Sequence, residues 1–167
     1  MTSKHNLLLS TFLLCALTGV ANGIKVGNFN YLFNETDKTA TVTYAGADLP
    51  GYTTGESKNT VAKVEIPETV TYSEVEYTVT AIGNYAFCES ESTTASHKVT
   101  SVTIPASVTS IGNHAFRGCS SLRTFSGGEN VVTIGNSAFE YCSSYTGTFS
   151  FLRQPPQVNR PSIYAPS

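Results

Sequence analysis

The chain has 167 residues, which is enough for one domain with a sizeable core but short for a multi-domain enzyme. Charged residues make up only 13% of it, whereas 23 Thr and 19 Ser give a hydroxyl-rich, β-favouring composition that argues against a helix bundle. With 10 basic and 12 acidic residues the net charge is −2, so nucleic-acid and anionic-membrane binding are also disfavoured.

Residues 1–23 are typical of a secretory signal peptide. Lys4 precedes an apolar run over 7–20 that is too short to span a bilayer. Small residues at Ala21 and Gly23 fit a cut before Ile24, and a cut after Ala21 fits nearly as well. An uncleaved anchor or a buried strand is the alternative. Lipidation of Cys15 is disfavoured because Leu14 stands where a lipobox has a small residue.

The segment 24–60 is predicted to form an N-terminal β-hairpin cap. Residues 24–33 and 39–44 have the character of two strands, and the polar stretch 34–38 between them is typical of a turn. The same turn contains an Asn-x-Thr sequon at Asn34, which we interpret as part of the turn. Such a cap is expected because a repeat array would otherwise leave its first strand edge in water.

Residues 61–145 contain three copies of one motif. Ile-Gly-Asn-x-Ala-Phe occurs at 82–87, 111–116 and 134–139, with offsets of 29 and 23 residues. The unit is therefore 23 residues long, and the polar stretch 89–98 is an insertion between the first two copies. Gly is expected to allow a tight bend and Asn to bond its own backbone, so the segment fits one turn or a short helix.

An apolar pattern with the spacing Leu-x-x-Leu-x-Leu lies upstream of each copy. Its period of two predicts a strand with two side chains inside and one outside. The pattern weakens in the third copy, where Gly127 replaces the last apolar residue. Its members are Val61, Val64, Ile66; Val99, Val102, Ile104; and Leu122, Phe125, Gly127.

The unit Val-x-Ile-Pro-x-x-Val-x-x-Ile-Gly-x-x-Ala-Phe-x-x-Cys-x-x-Leu, present at 102–122, resembles the BspA-like class of bacterial leucine-rich-repeat surface proteins. The resemblance implies an α/β repeat solenoid of leucine-rich-repeat type, mainly short β-strands with short helical turns, behind the N-terminal hairpin. It also implies an exported binding module without catalytic residues. Beyond the three coils, 146–167 is a proline-rich tail or a truncated repeat.

Two further local features are predicted. The alternating stretch 72–77 around Ser73-Glu74 favours a β-hairpin built onto the first coil. Cys119 and Cys142 follow their phenylalanines at equal spacing, and we expect buried, reduced thiols, although stacking in adjacent coils would also allow a disulfide. Cys88 lies outside that pattern and is expected to be an unpaired, reactive thiol.

The sequence contains no catalytic, metal-binding or cofactor-binding motif that we recognise. His97 falls in the inserted loop, and His114 occupies a site that varies between coils, which indicates exposed decoration. Carboxylates cluster in the chain, but without a surrounding apolar pattern they indicate a solvated face and not a glycosidase pair. The clustered residues are Glu65, Glu68, Glu74, Glu76, Glu89 and Glu91.

Our leading hypothesis is an exported or cell-surface adhesion module of the bacterial envelope that binds extracellular or host-surface proteins or glycoproteins. Repeat arrays bind through extended faces, so binding residues are sought on outward strand and turn positions. The alternatives are a structural spacer or fragment of a longer surface protein and, disfavoured by the absence of Trp, an extracellular polysaccharide hydrolase. The predicted binding residues are Ser101, Thr103, Arg123, Thr124, Tyr85 and His114.

Overall fold

The computed structural model describes residues 23–44, 61–88 and 99–147, which form ten strands in two sheets. These ranges contain no helix long and apolar enough to cross a bilayer. The strands are β1 (Ile24–Val26), β2 (Phe29–Asn34), β3 (Thr39–Thr43), β4 (Lys63–Glu65), β5 (Thr69–Tyr72), β6 (Val75–Ile82), β7 (Ser101–Ile104), β8 (Ser110–Ile111), β9 (Thr124–Gly127) and β10 (Thr133–Ile134).

The smaller sheet consists of β4, β7 and β9, one strand from each repeat, paired in parallel. Val64 pairs with Val102, and Val102 pairs with Phe125, so equivalent positions of successive repeats are neighbours. The strands predicted from the Leu-x-x-Leu-x-Leu pattern are confirmed. The third strand also forms despite Gly127, whose φ of +80° and close approach to the Ile104 carbonyl leave no room for a Cβ.

The larger sheet has the order β1-β2-β3-β6-β8-β10, with β5 also paired to β6. Its repeat strands β6, β8 and β10 are parallel, with Ile82 paired to Ile111 and Ile111 paired to Ile134, the same motif position in each repeat. The predicted hairpin at 72–77 is confirmed as the β5–β6 pair. Ser73 and Glu74 form its turn, with φ of 49° and 65°, the left-handed conformation that two-residue hairpin turns require.

The N-terminal segment differs from the prediction, because 24–33 is not one strand. Gly27 has φ of +59° and makes a tight turn, so β1 folds back antiparallel on β2. The second turn is as expected: the Asn34 Oδ1 accepts hydrogen bonds from the backbone N–H groups of Thr36 and Asp37 at 3.0 and 3.1 Å. β3 then pairs in parallel with β6, which joins the N-terminal strands to the first repeat.

The Gly-Asn-x-Ala-Phe segments are hydrogen-bonded turns, and the predicted short helical turns are not seen in the described ranges. The roles of Asn and Gly also differ from those predicted. Asn84 Oδ1 accepts the backbone N–H of Asn113 at 2.8 Å, and Asn113 Oδ1 accepts that of Asn136 at 2.7 Å. Asn84 and Asn113 therefore each bond the backbone of the next repeat.

Glycine is required in these turns because the turns touch each other. A Cβ on Gly112 would lie 2.6 Å from the backbone nitrogen of Asn84, far inside the 3.4 Å at which ordinary contact begins. The bend itself is made two residues later, where Tyr85, His114 and Ser137 have φ of 57°, 54° and 52°. The repeats thus stack with their turn backbones in direct contact.

A column of phenylalanines fills the core behind the turns. The Phe87 and Phe116 rings stack with centroids 5.2 Å apart, and Phe116 and Phe139 stack at 5.3 Å. Phe29 of β2 meets Phe87 edge-on at 5.6 Å, so the N-terminal strands cover the first ring of the column. The predicted inward direction of Ala and Phe in each motif is confirmed, since all are buried.

Candidate functional site

The outer side of the smaller sheet carries two short rows of polar side chains. Ser101 pairs with Thr124, and Thr103 pairs with Ser126 one step further along the strands. The hydroxyl oxygens of Thr103 and Ser126 lie 3.1 Å apart, within hydrogen-bond distance. Val102, which lies between Ser101 and Thr103 in β7, is buried, so the alternation of side chains along the strand places these two hydroxyls on the outside.

Charged residues lie beside these rows on β4 and at the start of β9. Lys63 and Glu65 of β4 continue the two rows and approach each other to 3.7 Å, with both side chains more than two-thirds exposed. Arg123 directly precedes β9, is exposed, and donates its backbone N–H to the Thr100 carbonyl at 2.9 Å. We call this surface the strand face; it consists of Lys63, Glu65, Ser101, Thr103, Arg123, Thr124 and Ser126.

The structure brings four of the six predicted binding residues together on the strand face: Ser101, Thr103, Arg123 and Thr124. The other two, Tyr85 and His114, lie on the turns, where their rings stack at 5.0 Å with an interplanar angle of 19°. His114 is half-buried and not an exposed decoration, because the turns that hold the two residues are in contact. The six predicted binding residues therefore lie on two separate surfaces.

The turn surface has its own electrostatics. Arg117 is buried, donates from Nε to Glu140 at 2.8 Å, and lies 5.1 Å from the Tyr141 ring centroid. Burial, and next the positive charge of Arg117, lower the pKa of His114, while Glu140 opposes them. These effects together favour the neutral form of the imidazole.

The cysteines are internal. Cys119 donates its thiol hydrogen to the Phe87 carbonyl at 3.3 Å, and Cys142 does the same to the Phe116 carbonyl at 3.3 Å. The prediction of reduced, buried thiols is confirmed at these two positions. The expected reactivity of Cys88 is wrong for the folded chain, because only 5% of the residue is exposed.

The described ranges contain no cluster of metal-ligating side chains: they hold no group of three His, Cys, Asp or Glu residues that could ligate an ion. Glu65, Glu68, Glu74 and Glu76 are all exposed, which fits a solvated face. Glu89, Glu91 and His97 lie outside the described residues.

Sequence reasoning did not select three residues of the strand face, Lys63, Glu65 and Ser126, and it missed the ion pair of the turns. Ser126 was discoverable, because it follows Thr103 by one repeat length, but the glycines after it made the strand look broken. Arg117 and Glu140 are also one repeat apart. Their pairing was not evident from single repeats, because the equivalent residue of the first repeat is Cys88.

Comparison with known proteins agrees with this geometry. The family model described as BspA type leucine rich repeat region matches residues 94–153. No curated protein matches the chain significantly.

The similar solved structures include several leucine-rich-repeat proteins. A leucine-rich repeat protein from Bacteroides capillosus is 32% identical, with a TM-score of 0.57, over 75% of this chain and 79% of that one. A leucine rich cell surface protein from Faecalibacterium prausnitzii is 31% identical, with a TM-score of 0.56, over 75% of this chain but only 30% of that one. The leucine-rich repeat protein of T. pallidum, 21% identical over 74% of this chain and 48% of that one, shares the fold, with a TM-score of 0.53.

The chain spans less than a third of the Faecalibacterium protein and most of the Bacteroides capillosus protein. The repeat motif, the parallel register of the repeats and these similarities agree. The chain belongs to the BspA-type leucine-rich-repeat family.

Proposed function

We propose that this chain is an exported, surface-associated protein whose strand face binds extracellular or host-surface proteins or glycoproteins. The observation that carries the proposal is the strand face itself. Its hydroxyls are held by parallel strands in rows, with the Thr103 and Ser126 oxygens 3.1 Å apart and cationic Arg123 at the border. Hydroxyl side chains offer both donors and acceptors, which suits recognition of amide and sugar groups.

The proposal includes an organisation of the chain. Residues 1–23 would direct export, 24–60 would cap the array, 61–145 would form three coils of a solenoid, and 146–167 would be a tail. Family membership supports export, since the Faecalibacterium relative is described as a cell surface protein. In a stack of repeats each added strand extends the same outer face, which favours contact with large partners.

A binding titration tests the proposal. The purified chain is titrated against immobilised mucin and matrix glycoproteins, alongside Arg123→Glu on the strand face and Lys25→Glu on β1. Both variants change the net charge equally at an exposed position, but only the first alters the proposed surface. We expect saturable binding that Arg123→Glu weakens at least tenfold and Lys25→Glu leaves unchanged.

Two results would contradict the proposal. If the folded chain binds none of these ligands, the structural spacer hypothesis takes its place. If both variants weaken binding equally, the effect comes from net charge and not from the strand face. Tyr85→Ala in the same titration reports whether the separate turn surface takes part.

A further inference from the structure

The residue at the border of the predicted signal peptide is packed into the fold. Gly23 precedes β1 and lies against β2 and β3: a Cβ placed on it would be 2.9 Å from the Asn30 Cβ and 3.1 Å from the Tyr44 carbonyl oxygen. It would also lie 2.5 Å from the Thr43 Cγ2. Only glycine fits this place without a shift of the neighbouring strands.

The residues that Gly23 touches are polar and buried. Asn30 is 4% exposed and Thr43 is 5% exposed, and they are paired across β2 and β3. Burying such groups costs free energy unless their surroundings stay closed and their hydrogen bonds are made. The main chain at Gly23 is part of those surroundings, so its removal would open this corner of the sheet to water.

We infer that the exported chain keeps Gly23, and that the leader is removed by hydrolysis of the Ala21–Asn22 peptide bond. This rests on the proposed export. The sequence allows two cuts: one after Gly23, with Ala21 three residues from the cut, and one after Ala21, with Gly19 in that place. The packing of Gly23 distinguishes them, because only the second leaves it in the mature protein.

A cut after Gly23 would also place a new charge in the sheet. Hydrolysis adds water across the amide, leaving a carboxylate on the leader and an ammonium group on the first mature residue. That residue would be Ile24, which is partly buried and paired with Tyr31. A cut after Ala21 places the ammonium group on Asn22, two residues before β1 in the chain, so Ile24 keeps an ordinary peptide bond at the start of the strand.

Intact mass and N-terminal sequencing of the full chain, expressed with its leader in an exporting bacterium, test the inference. We expect the exported protein to begin at Asn22. A protein that begins at Ile24 overturns the inference and leaves export intact. A chain that remains uncleaved inside the cell overturns both the inference and the proposed export.

The variant Gly23→Val provides a second test, because the two possible cuts predict opposite effects on processing. Valine is too large for the position before a signal-peptidase cut, so a cut after Gly23 would be blocked and precursor would accumulate. If the cut follows Ala21, the variant is processed normally, but its mature form unfolds at lower urea than the wild type because valine meets Asn30 and Thr43. Lys25→Val, an exposed position two residues away, is the matched control and should change neither processing nor the urea midpoint beyond a small shift.

Discussion

Replacing Gly112 with Ala tests whether the repeats are joined by direct contact of their turns. The new Cβ would lie 2.6 Å from the Asn84 nitrogen, so the two turns would have to separate by about 0.8 Å to reach ordinary contact. Three hydrogen bonds cross this gap: Gly112 N to Ile82 O at 2.7 Å, Asn113 N to Asn84 Oδ1 at 2.8 Å, and Tyr85 N to Asn113 O at 3.0 Å. Such a separation lengthens all three to or beyond bonding distance.

At about 1 kcal/mol of net stability for each hydrogen bond, we expect Gly112→Ala to lower the free energy of unfolding by about 3 kcal/mol. The matched control is Gly83→Ala in the first repeat, where the nearest atom to the new Cβ is the Val42 carbonyl oxygen at 3.0 Å. A backbone shift of a few tenths of an ångström brings that contact to an ordinary distance, so we expect Gly83→Ala to lower the free energy of unfolding by less than about 1 kcal/mol. Urea unfolding followed by circular dichroism measures both. Equal losses in the two variants would refute the direct contact between turns.

Three further predictions concern the core and the turns. Phe116→Ala removes the middle ring of the column and should cost about 3–5 kcal/mol of unfolding free energy in the same assay, and a loss below about 1 kcal/mol would contradict the stacked core. Folding lowers the pKa of His114 below 6.5, so the unfolded chain binds the proton more readily than the folded chain does. The free energy of unfolding should therefore be highest above pH 6.5 and fall below that pH. The urea midpoint of His114→Gln should lose this part of the pH dependence, and a variant with the same pH dependence as the wild type would contradict the prediction. The buried cysteines should react with iodoacetamide only when urea unfolds the chain, as mass spectrometry can show; they are Cys88, Cys119 and Cys142. Rapid labelling of the native protein would contradict their burial.

The repeat strands and the hairpin were predictable because their signals are local. Alternation of apolar and polar residues places Val102 and Ile104 inside, and a repeat of the same pattern predicts a neighbouring strand. The split of the N-terminal strand at Gly27 was not predicted, because a single glycine in a strand pattern has several structural meanings. The sequence alone cannot choose among them without the partner strand.

The contacts between repeats were the part that sequence reasoning could not supply. The Asn84 side chain bonds the backbone of a residue 29 positions away, and the size limit at Gly112 comes from that same neighbour. Neither contact exists within one repeat. The same holds for the candidate site: the residues around Thr103 were predictable from alternation, whereas the placement of Tyr85 and His114 on another surface depends on how the turns stack.

We propose that the strand face binds a partner, and a paired titration of two lysine variants tests this proposal. Thr103→Lys and Thr133→Lys make the same change at exposed strand positions, one on the strand face and one on the outer side of the larger sheet. With mucin or a matrix glycoprotein immobilised, we expect Thr103→Lys to abolish binding or weaken it at least tenfold, and Thr133→Lys to bind as the wild type does. Undiminished binding by Thr103→Lys, in a protein that folds normally, would contradict it.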